Sequence, residues 1–119
     1  MNNTDYYQSR INKSVKYLSE NLKENIKVAE LAESAHFSSF HFQRIYKALQ
    51  NETPYETILR LRLEKSMFLL KHNPRFNISE IAIECGFSSI ENFTRQFKSK
   101  FGSPPSAFLK AGKSTDSKI

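Results

Sequence analysis

The chain is short and basic. It has 119 residues, with 18 Lys and Arg against 12 Asp and Glu, and a formal net charge of +6 at pH 7. This length suits one domain, or two very small ones, with a modest core. No apolar run approaches the roughly eighteen residues that cross a bilayer, which excludes a membrane-spanning role. The excess of positive charge favours a polyanionic partner.

Two further features predict a cytoplasmic, helical protein. The N-terminus lacks the apolar core of a secretory signal, and the single cysteine, Cys85, cannot form an internal disulfide, which fits a reducing compartment. Three Gly and four Pro residues argue against long loops and favour helices.

The first elements in chain order are three helices. Apolar residues that recur every three or four positions predict an amphipathic first helix. A polar break separates it from a short helix over residues 28–35, and a third helix is expected from about Ser39 to Leu49. The apolar stripe of the first helix consists of Tyr7, Ile11, Val15, Leu18 and Leu22.

A long helix begins at Thr53 and Pro54. Thr53 can cap it, Pro54 suits its first position, and Glu56 lies three residues after the cap, as in a capping box. The helix is apolar on nearly all sides and ends before Pro74. We therefore assign residues 53–73 to a linker helix that is buried between other parts of the molecule. Its apolar residues are Ile58, Leu59, Leu61, Leu63, Met67, Phe68, Leu69 and Leu70.

Three more helices are predicted in the second half of the chain. A capping box at Asn77 opens a short helix, and Gly86 closes it as a left-handed stop. Ser88-Ser89-Ile90-Glu91 opens the next helix by the same capping pattern, Pro104-Pro105 opens a last short one, and residues 112–119 are expected to be a flexible tail. No segment alternates with a period of two. The predicted fold class is all-α, with about seven helices.

The chain contains an internal repeat. Residues 28–41 align with residues 78–91 at an offset of 50, and residues 42–54 align with residues 93–105 at an offset of 51. Each copy is a short helix, a tight turn and a longer helix, which is the helix-turn-helix unit. The identical pairs are Glu30/Glu80, Ala32/Ala82, Phe37/Phe87, Ser38/Ser88, Ser39/Ser89, Phe42/Phe93, Arg44/Arg95, Lys47/Lys98 and Pro54/Pro105.

The residue types within each copy fit this unit. Ala32 and Ala82 are small where two helices cross, Gly86 can adopt a positive φ, and Phe37 and Phe87 are expected to enter the core. The short helix of each copy carries Glu and the longer helix carries Arg and Lys, a division that a helix entering the major groove requires. The expected organisation is a lead-in at residues 1–7, helix-turn-helix subdomains at residues 8–52 and 74–111 around the linker helix, and the tail.

With these motifs the chain resembles the DNA-binding domain of AraC/XylS-type transcriptional regulators over about residues 8–110. The most specific stretch is Ile81–Ser89, which continues through residues 92–98 and 101–104. Residues 61–66 are similar to the family's linker helix. The resemblance implies a bacterial-type regulator that binds double-stranded DNA sequence-specifically, with two recognition helices in successive major grooves.

A narrower resemblance concerns effector sensing. Residues 5–11 and 36–42 are similar to members of the family that have a separate C-terminal effector-binding domain of the GyrI-like kind. A chain fully used by helix-turn-helix units leaves little room for an apolar pocket, so we expect any effector to act through a domain absent from this chain. RNA polymerase is a further candidate partner. The alternative function is a helical protein-interaction module that contacts RNA polymerase, for example, without reading bases.

Carried over onto this sequence, the resemblance places the DNA-contacting residues on the outward face of each longer helix. Gln43 can bond adenine, Arg44 can bond guanine, and Phe40 can press on a thymine methyl group, whereas hydroxyl and ammonium groups near the helix ends suit phosphates. The base-reading candidates are Phe40, Gln43, Arg44, Ile90, Asn92, Arg95 and Gln96. The candidates for backbone contacts are Ser39, Lys47, Ser89, Thr94 and Lys98.

Two residues depart from the family's pattern. His36 stands where the family often has Gly, so the first turn is either strained or built differently, although His tolerates positive φ better than most residues. Glu91 places a carboxylate on a helix meant for a polyanion, and we interpret it as a capping residue for Ser88 rather than as a reader of cytosine. Phe40 and Ile90 occupy matching places in the two copies, which favours a function for both.

The sequence predicts no catalytic site and no cofactor. It contains no nucleophile–base pair, glycine-rich phosphate loop or paired-carboxylate motif. Its His residues and Cys85 lie on different predicted elements, at spacings that do not match structural zinc sites, so no metal is expected. Cys85 is interpreted as a small buried apolar residue.

Overall fold

The computed structural model describes the backbone of residues 3–113 and the side chains of residues 4–109. Within this part of the chain there are seven α-helices and no strand, which confirms the predicted fold class. No described helix is both long and apolar enough to span a membrane. The helices are α1 (Asn3–Glu20), α2 (Val28–Ser34), α3 (Ser39–Gln50), α4 (Pro54–His72), α5 (Ile78–Glu84), α6 (Ile90–Phe101) and α7 (Pro105–Lys113).

The chain divides into two compact units, Met1–Leu61 and Arg62–Ile119. The boundary falls inside α4, the helix predicted to be the linker. The first helix begins at Asn3, ahead of the predicted apolar stripe, and the last helix runs to Lys113. Residues 114–119, which make up most of the predicted tail, lie outside the described residues.

The core of the first unit is built from the apolar faces of its helices. The stripe of α1 places Ile11 and Leu18 in the core, where they are fully buried together with Leu31 of α2 and with Phe42 and Tyr46 of α3. Burying a large apolar side chain contributes about 1.5–3 kcal/mol relative to leaving it exposed. The amphipathic pattern therefore fixes which face of α3 points inward.

A chain of polar groups joins α3 to the first turn of α4. The buried Tyr46 hydroxyl donates to Thr57 Oγ1 at 2.6 Å, and Thr57 Oγ1 donates to Glu52 Oε1 at 2.8 Å. Arg60 Nη2 lies 2.7 Å from the same Glu52 oxygen. Burial raises the pKa of Tyr46, while the hydrogen bond with Thr57 acts to lower it. The buried hydroxyl of Tyr46 therefore has a hydrogen-bond partner within the first unit.

The core of the second unit is an aromatic cluster centred on Phe97. Its ring centroid lies 5.7 Å from that of Phe93, 4.6 Å from that of Phe101 and 5.6 Å from that of Phe108. Phe87, at the turn, stacks on Phe93 at 4.9 Å. Phe93 and Phe97 are fully buried, so the inward face of α6 is aromatic.

The expectation that α4, apolar on nearly all sides, is buried between other parts of the molecule is wrong at two positions. Tyr55 is 63% exposed and Phe68 is 62% exposed. In the second unit the buried positions of α4 are Leu63, Ser66 and Leu70, a helical spacing that covers only one face. Phe68 lies off that face and stacks on the neighbouring His72 at 4.7 Å.

The predicted capping boxes of α4 and α5 are confirmed. Thr53 and Glu56 exchange side-chain and backbone hydrogen bonds at 2.8 and 3.1 Å. Asn77 and Glu80 do so at 2.9 Å each. The bonds with Thr53 lower the pKa of Glu56. Both capping boxes satisfy backbone N–H groups that a helix start leaves free.

The internal repeat extends further than the two helix-turn-helix units. At an offset of 52, Ile11, Ser14 and Leu18 of α1 match Leu63, Ser66 and Leu70 of α4, and all six side chains are buried. Both serine hydroxyls donate to the carbonyl three residues earlier, at 2.6 and 2.7 Å. Each unit is therefore a leading helix followed by a helix-turn-helix. The identical pairs of this segment are Arg10/Arg62, Lys13/Lys65, Ser14/Ser66 and Leu18/Leu70.

Candidate nucleic-acid interface

The two turns that precede the longer helices have the same backbone geometry. In the first, His36 N–H donates to Glu33 O at 3.0 Å and Phe37 N–H donates to Ala32 O at 2.9 Å. In the second, the N–H groups of Gly86 and Phe87 make the equivalent bonds at 3.0 and 2.9 Å. This is a Schellman motif, which requires a left-handed residue after the helix cap.

His36 fills that left-handed position in the first turn. Its φ is 62°, and that of Gly86 is 90°. The sequence left open whether the first turn is strained or built differently. It is built like the second turn and is strained, because His36 adopts a conformation that disfavours a Cβ atom. Both turns orient the helix that follows.

The caps of α3 and α6 correct the alignment of the repeat. Ser38 Oγ accepts from His41 N–H at 3.3 Å, and Ser89 Oγ accepts from Asn92 N–H at 3.0 Å. The extra residue of the second copy is therefore Ser88, in the turn, and the offset is 51 from the cap onward. The expected insertion within the helix is wrong.

This correction changes three interpretations. Glu91 does not cap α6 with Ser88, because the cap is Ser89 and the residue three positions later is Asn92. Phe40 matches Glu91, not Ile90, so Phe40 and Ile90 do not occupy matching places in the two copies. His41, an exposed residue that the sequence interpretation left out, occupies the position of Asn92.

The outward face of α3 carries the candidates of the first unit. Phe40 is 68% exposed, and the Arg44 guanidinium lies 5.6 Å from the centroid of its ring, within the range of a cation–π contact. Ser39, Gln43 and Lys47 are also exposed. All five predicted residues of this helix therefore face solvent, opposite the buried aromatic pair.

The candidates on α6 are placed less uniformly. Ile90, Arg95 and Lys98 are exposed, as is the cap Ser89, whereas three others are half-buried. Arg95 Nη2 donates to Asn92 Oδ1 at 3.0 Å, so one half-buried candidate contacts the exposed arginine. The half-buried candidates are Asn92, Thr94 and Gln96.

In the corrected register, both longer helices present the same two cations. Arg44 matches Arg95 and Lys47 matches Lys98, and all four are exposed. An arginine can donate two hydrogen bonds to one guanine edge, and a lysine one turn later can reach a phosphate. The short helix before each turn, α2 or α5, carries Glu instead, so charge separates along each helix-turn-helix.

No group of three or more His, Cys, Asp or Glu residues among those described is placed to hold a metal ion. Cys85 is fully buried, and its burial raises the pKa of the thiol to about 11, despite the nearby charges of Lys65 and Arg62. Such a thiol is unreactive at neutral pH.

A family profile described as a helix-turn-helix domain matches residues 31–111, which is most of the chain. The chain belongs to this helix-turn-helix family. Among solved structures, an AraC-type regulator from Chromobacterium violaceum is 24% identical with a TM-score of 0.79, and covers 86% of this chain and 90% of its own. The predicted helix-turn-helix family is thereby confirmed, and the solved structure shows that an AraC-type regulator shares the fold.

Two curated relatives and a second structure give the family's range. A probable transcription factor, PqrA of Proteus vulgaris, is 33% identical over 108 residues, or 89% of this chain and 88% of its own. The Msm operon regulatory protein of Streptococcus mutans is 31% identical over 84% of this chain, which spans only 36% of that protein. The DNA-binding domain of AdpA, solved with a target DNA, is 27% identical with a TM-score of 0.80, and covers 88% of this chain and 94% of its own.

Proposed function

We propose that this chain is the DNA-reading part of a bacterial transcription regulator and binds double-stranded DNA sequence-specifically. The observation that carries the proposal is the exposed arginine–lysine pair at the same register on α3 and α6, each pair lying opposite a buried aromatic face. Two similar proteins support it: the DNA-binding domain of AdpA, which was solved with a target DNA, and PqrA, a probable transcription factor. The role is non-enzymatic and cytoplasmic.

In the first unit, we assign base reading to three side chains. Arg44 donates to guanine, and Phe40 beside it presses on the methyl group of a thymine next to that guanine. Gln43 is exposed one residue earlier and suits adenine, with which an amide makes paired hydrogen bonds. Ser39 and Lys47, at the two ends of the helix, contact phosphates.

In the second unit, Arg95 is the principal reader. Asn92 accepts a hydrogen bond from it and so holds the guanidinium in place while its own amide N–H groups stay available. Ile90 supplies the apolar contact of this helix and Gln96 the second amide. The backbone contacts are assigned to Ser89, Thr94 and Lys98.

The test is selection of binding sites from random duplex DNA at a stated salt concentration. We expect Arg44→Ala and Arg95→Ala each to relax the preference at one base pair, at a cost of about 1–3 kcal/mol. Lys98→Ala should weaken all sequences about equally and reduce the salt dependence by about one counterion. Lys16→Ala, which removes an exposed cation that is paired with Glu20, is the control and should change neither.

Two outcomes would overturn this proposal. If Arg44→Ala left the selected sequence unchanged, the assignment of the first recognition helix would be wrong. If the unaltered chain enriched no duplex, yet bound RNA polymerase equally well with and without Gln43, Arg44 and Arg95, the chain would be a protein-interaction module.

We also propose that a separate domain, of the GyrI-like kind, carries any response to an effector. The chain spans 36% and 37% of two of its relatives, which leaves those proteins room for other domains. In the first unit, an open groove of about 610 Å³ is lined by Tyr17, Ala29, Glu30, Glu33, Ser34 and His36, and it lacks the enclosure of most small-molecule sites. The coding sequence beyond Ile119 tests this proposal directly.

A further inference from the structure

Arg10 of α1 reaches the turn between α2 and α3. Its Nε–H donates to the carbonyl oxygen of Ala35 at 2.8 Å, and its Nη2 donates to the carbonyl oxygen of His36. The guanidinium also lies 3.7 Å from the centroid of the Phe37 ring. A single side chain therefore contacts three consecutive residues of the turn.

The aromatic side of this contact is closed by a second ring. Tyr7, one turn before Arg10 on α1, meets Phe37 edge to face with centroids 5.5 Å apart. Phe37 is the residue whose N–H completes the Schellman motif. Its position therefore depends both on the turn and on the two α1 side chains.

The place of the cation has an electrostatic reason. The carbonyl groups at the end of a helix carry partial negative charge and have no partners within the helix. The last turn of α2 contains no basic residue, so Arg10 supplies the positive charge from outside. Because a guanidinium has several donors in a fixed plane, it can hold two carbonyl groups at once.

The turn of the second unit has a glycine at its left-handed position. Gly86 takes that conformation without a Cβ atom, and Phe87 stacks on Phe93 within the core. Lys65 of α4 donates to Glu84 O at 3.1 Å, so α4 also supplies a cation to the end of the helix that precedes its turn. Because a Cβ atom is disfavoured at positive φ, the first turn, with His36, depends more on such contacts than the second.

We infer that Arg10 is a positioning residue for DNA reading: by holding the Ala35 and His36 carbonyl groups and stacking on Phe37, it fixes the turn that orients α3. Affinity for the half of the DNA site read by α3 therefore depends on a side chain of α1 whose donors are directed into the protein. This inference rests on the proposed function.

The experiment uses the duplex that the unaltered chain selects from random DNA. Substitution of Arg44 identifies the half read by α3. Arg10→Ala should weaken binding about tenfold, the order expected for the loss of charge-assisted hydrogen bonds. The loss should vanish on a duplex whose α3 half is scrambled, and Lys16→Ala should show no loss on either duplex.

Two readouts separate positioning from other roles. If Arg10 contacted a phosphate, Arg10→Ala would lower the slope of log K against log salt by about one; we expect the slope to stay unchanged. In Arg10→Ala the Phe37 amide should exchange faster, whereas the Phe87 amide should not.

Rescue by glycine gives the sharpest outcome. In Arg10→Ala/His36→Gly, the turn adopts its left-handed conformation without strain, so the lost affinity should return at least in part. This double variant also replaces Arg10→Ala if that variant does not fold. The inference is overturned if Arg10→Ala binds within twofold of the unaltered chain, or if the double variant binds no better than Arg10→Ala. If no duplex is enriched at all, the proposed function itself has failed.

Discussion

The two units of this chain build the same turn with different side chains. The first uses hydrogen bonds: Arg10 holds the turn before α3, and Tyr46 fastens α3 to Thr57 of α4. The second uses Gly86 at the turn and a cluster of phenylalanine rings around Phe97. The comparison shows that the same backbone geometry forms with either a histidine or a glycine at its left-handed position.

The difference matters for how each unit tolerates change. Hydrogen bonds are directional, and removal of one buried partner leaves the other unsatisfied. An aromatic cluster instead spreads its stabilisation over many weak contacts. We therefore expect the stability of the first unit to be sensitive to the loss of a hydrogen-bonding side chain such as Arg10 or Tyr46. We expect the stability of the second unit to be sensitive to any polar atom placed in its core.

The largest effect is expected from exchanging one hydroxyl group between the units. Tyr46 and Phe97 occupy the same position at an offset of 51. Phe97→Tyr would place a hydroxyl among aromatic rings and should lower the free energy of unfolding by about 1–3 kcal/mol, whereas Tyr46→Phe should lower it by about 1 kcal/mol. Urea unfolding of both variants measures this. A greater loss for Tyr46→Phe would contradict the expected contrast between the two units.

A second effect concerns pH and belongs to the second unit. The pKa of the Cys85 thiol is raised from 9.0 to about 11 by burial, so between these values the unfolded chain releases the proton more readily than the folded one. Stability should therefore fall as pH rises from about 9 to 11, by an amount of order 2 kcal/mol.

The control for this pH effect is Cys85→Ala. Removal of the thiol should flatten the pH dependence of the second unit in that range. Thermal unfolding at pH 8, 9, 10 and 11 gives the comparison. Equal slopes for the two proteins would show that Cys85 does not contribute.

The smallest effect is expected from exchanging the left-handed residues. Gly86→His should destabilise the chain by about 1 kcal/mol, because a Cβ atom is disfavoured at positive φ. His36→Gly removes that strain but raises the conformational entropy of the unfolded chain. The free energy of unfolding should therefore rise by less than about 1 kcal/mol. Differential scanning calorimetry measures the melting temperatures of both variants. A higher melting temperature for Gly86→His would contradict the comparison.

Local signals in the sequence predicted most of the fold. The capping boxes at Thr53 and Asn77 and the stop at Gly86 depend on residues within one helical turn, so they can be identified without tertiary information. Tertiary context decided the exposure of Phe68. The pattern of α4 is apolar on nearly all sides, and only the packed structure shows which face is covered.

The register of α6 could not be predicted because two serines stand side by side. Ser88 and Ser89 are equally good caps by residue type, and only the hydrogen bond from Asn92 N–H to Ser89 identifies the one that caps. The role of Arg10 was missed for another reason. Its partners, Ala35 and His36, lie 25 and 26 residues away; the identity of Arg10 with Arg62 was the signal that could have drawn attention to it.

The corrected register has a consequence for the proposed reading of DNA. Beyond the shared arginine and lysine, α3 carries Phe40 and His41 where α6 carries Glu91 and Asn92. If both helices read bases as proposed, they read unlike sequences, and the DNA site is not a palindrome. Such a site has a left and a right end, so inverting it would turn the bound chain end for end.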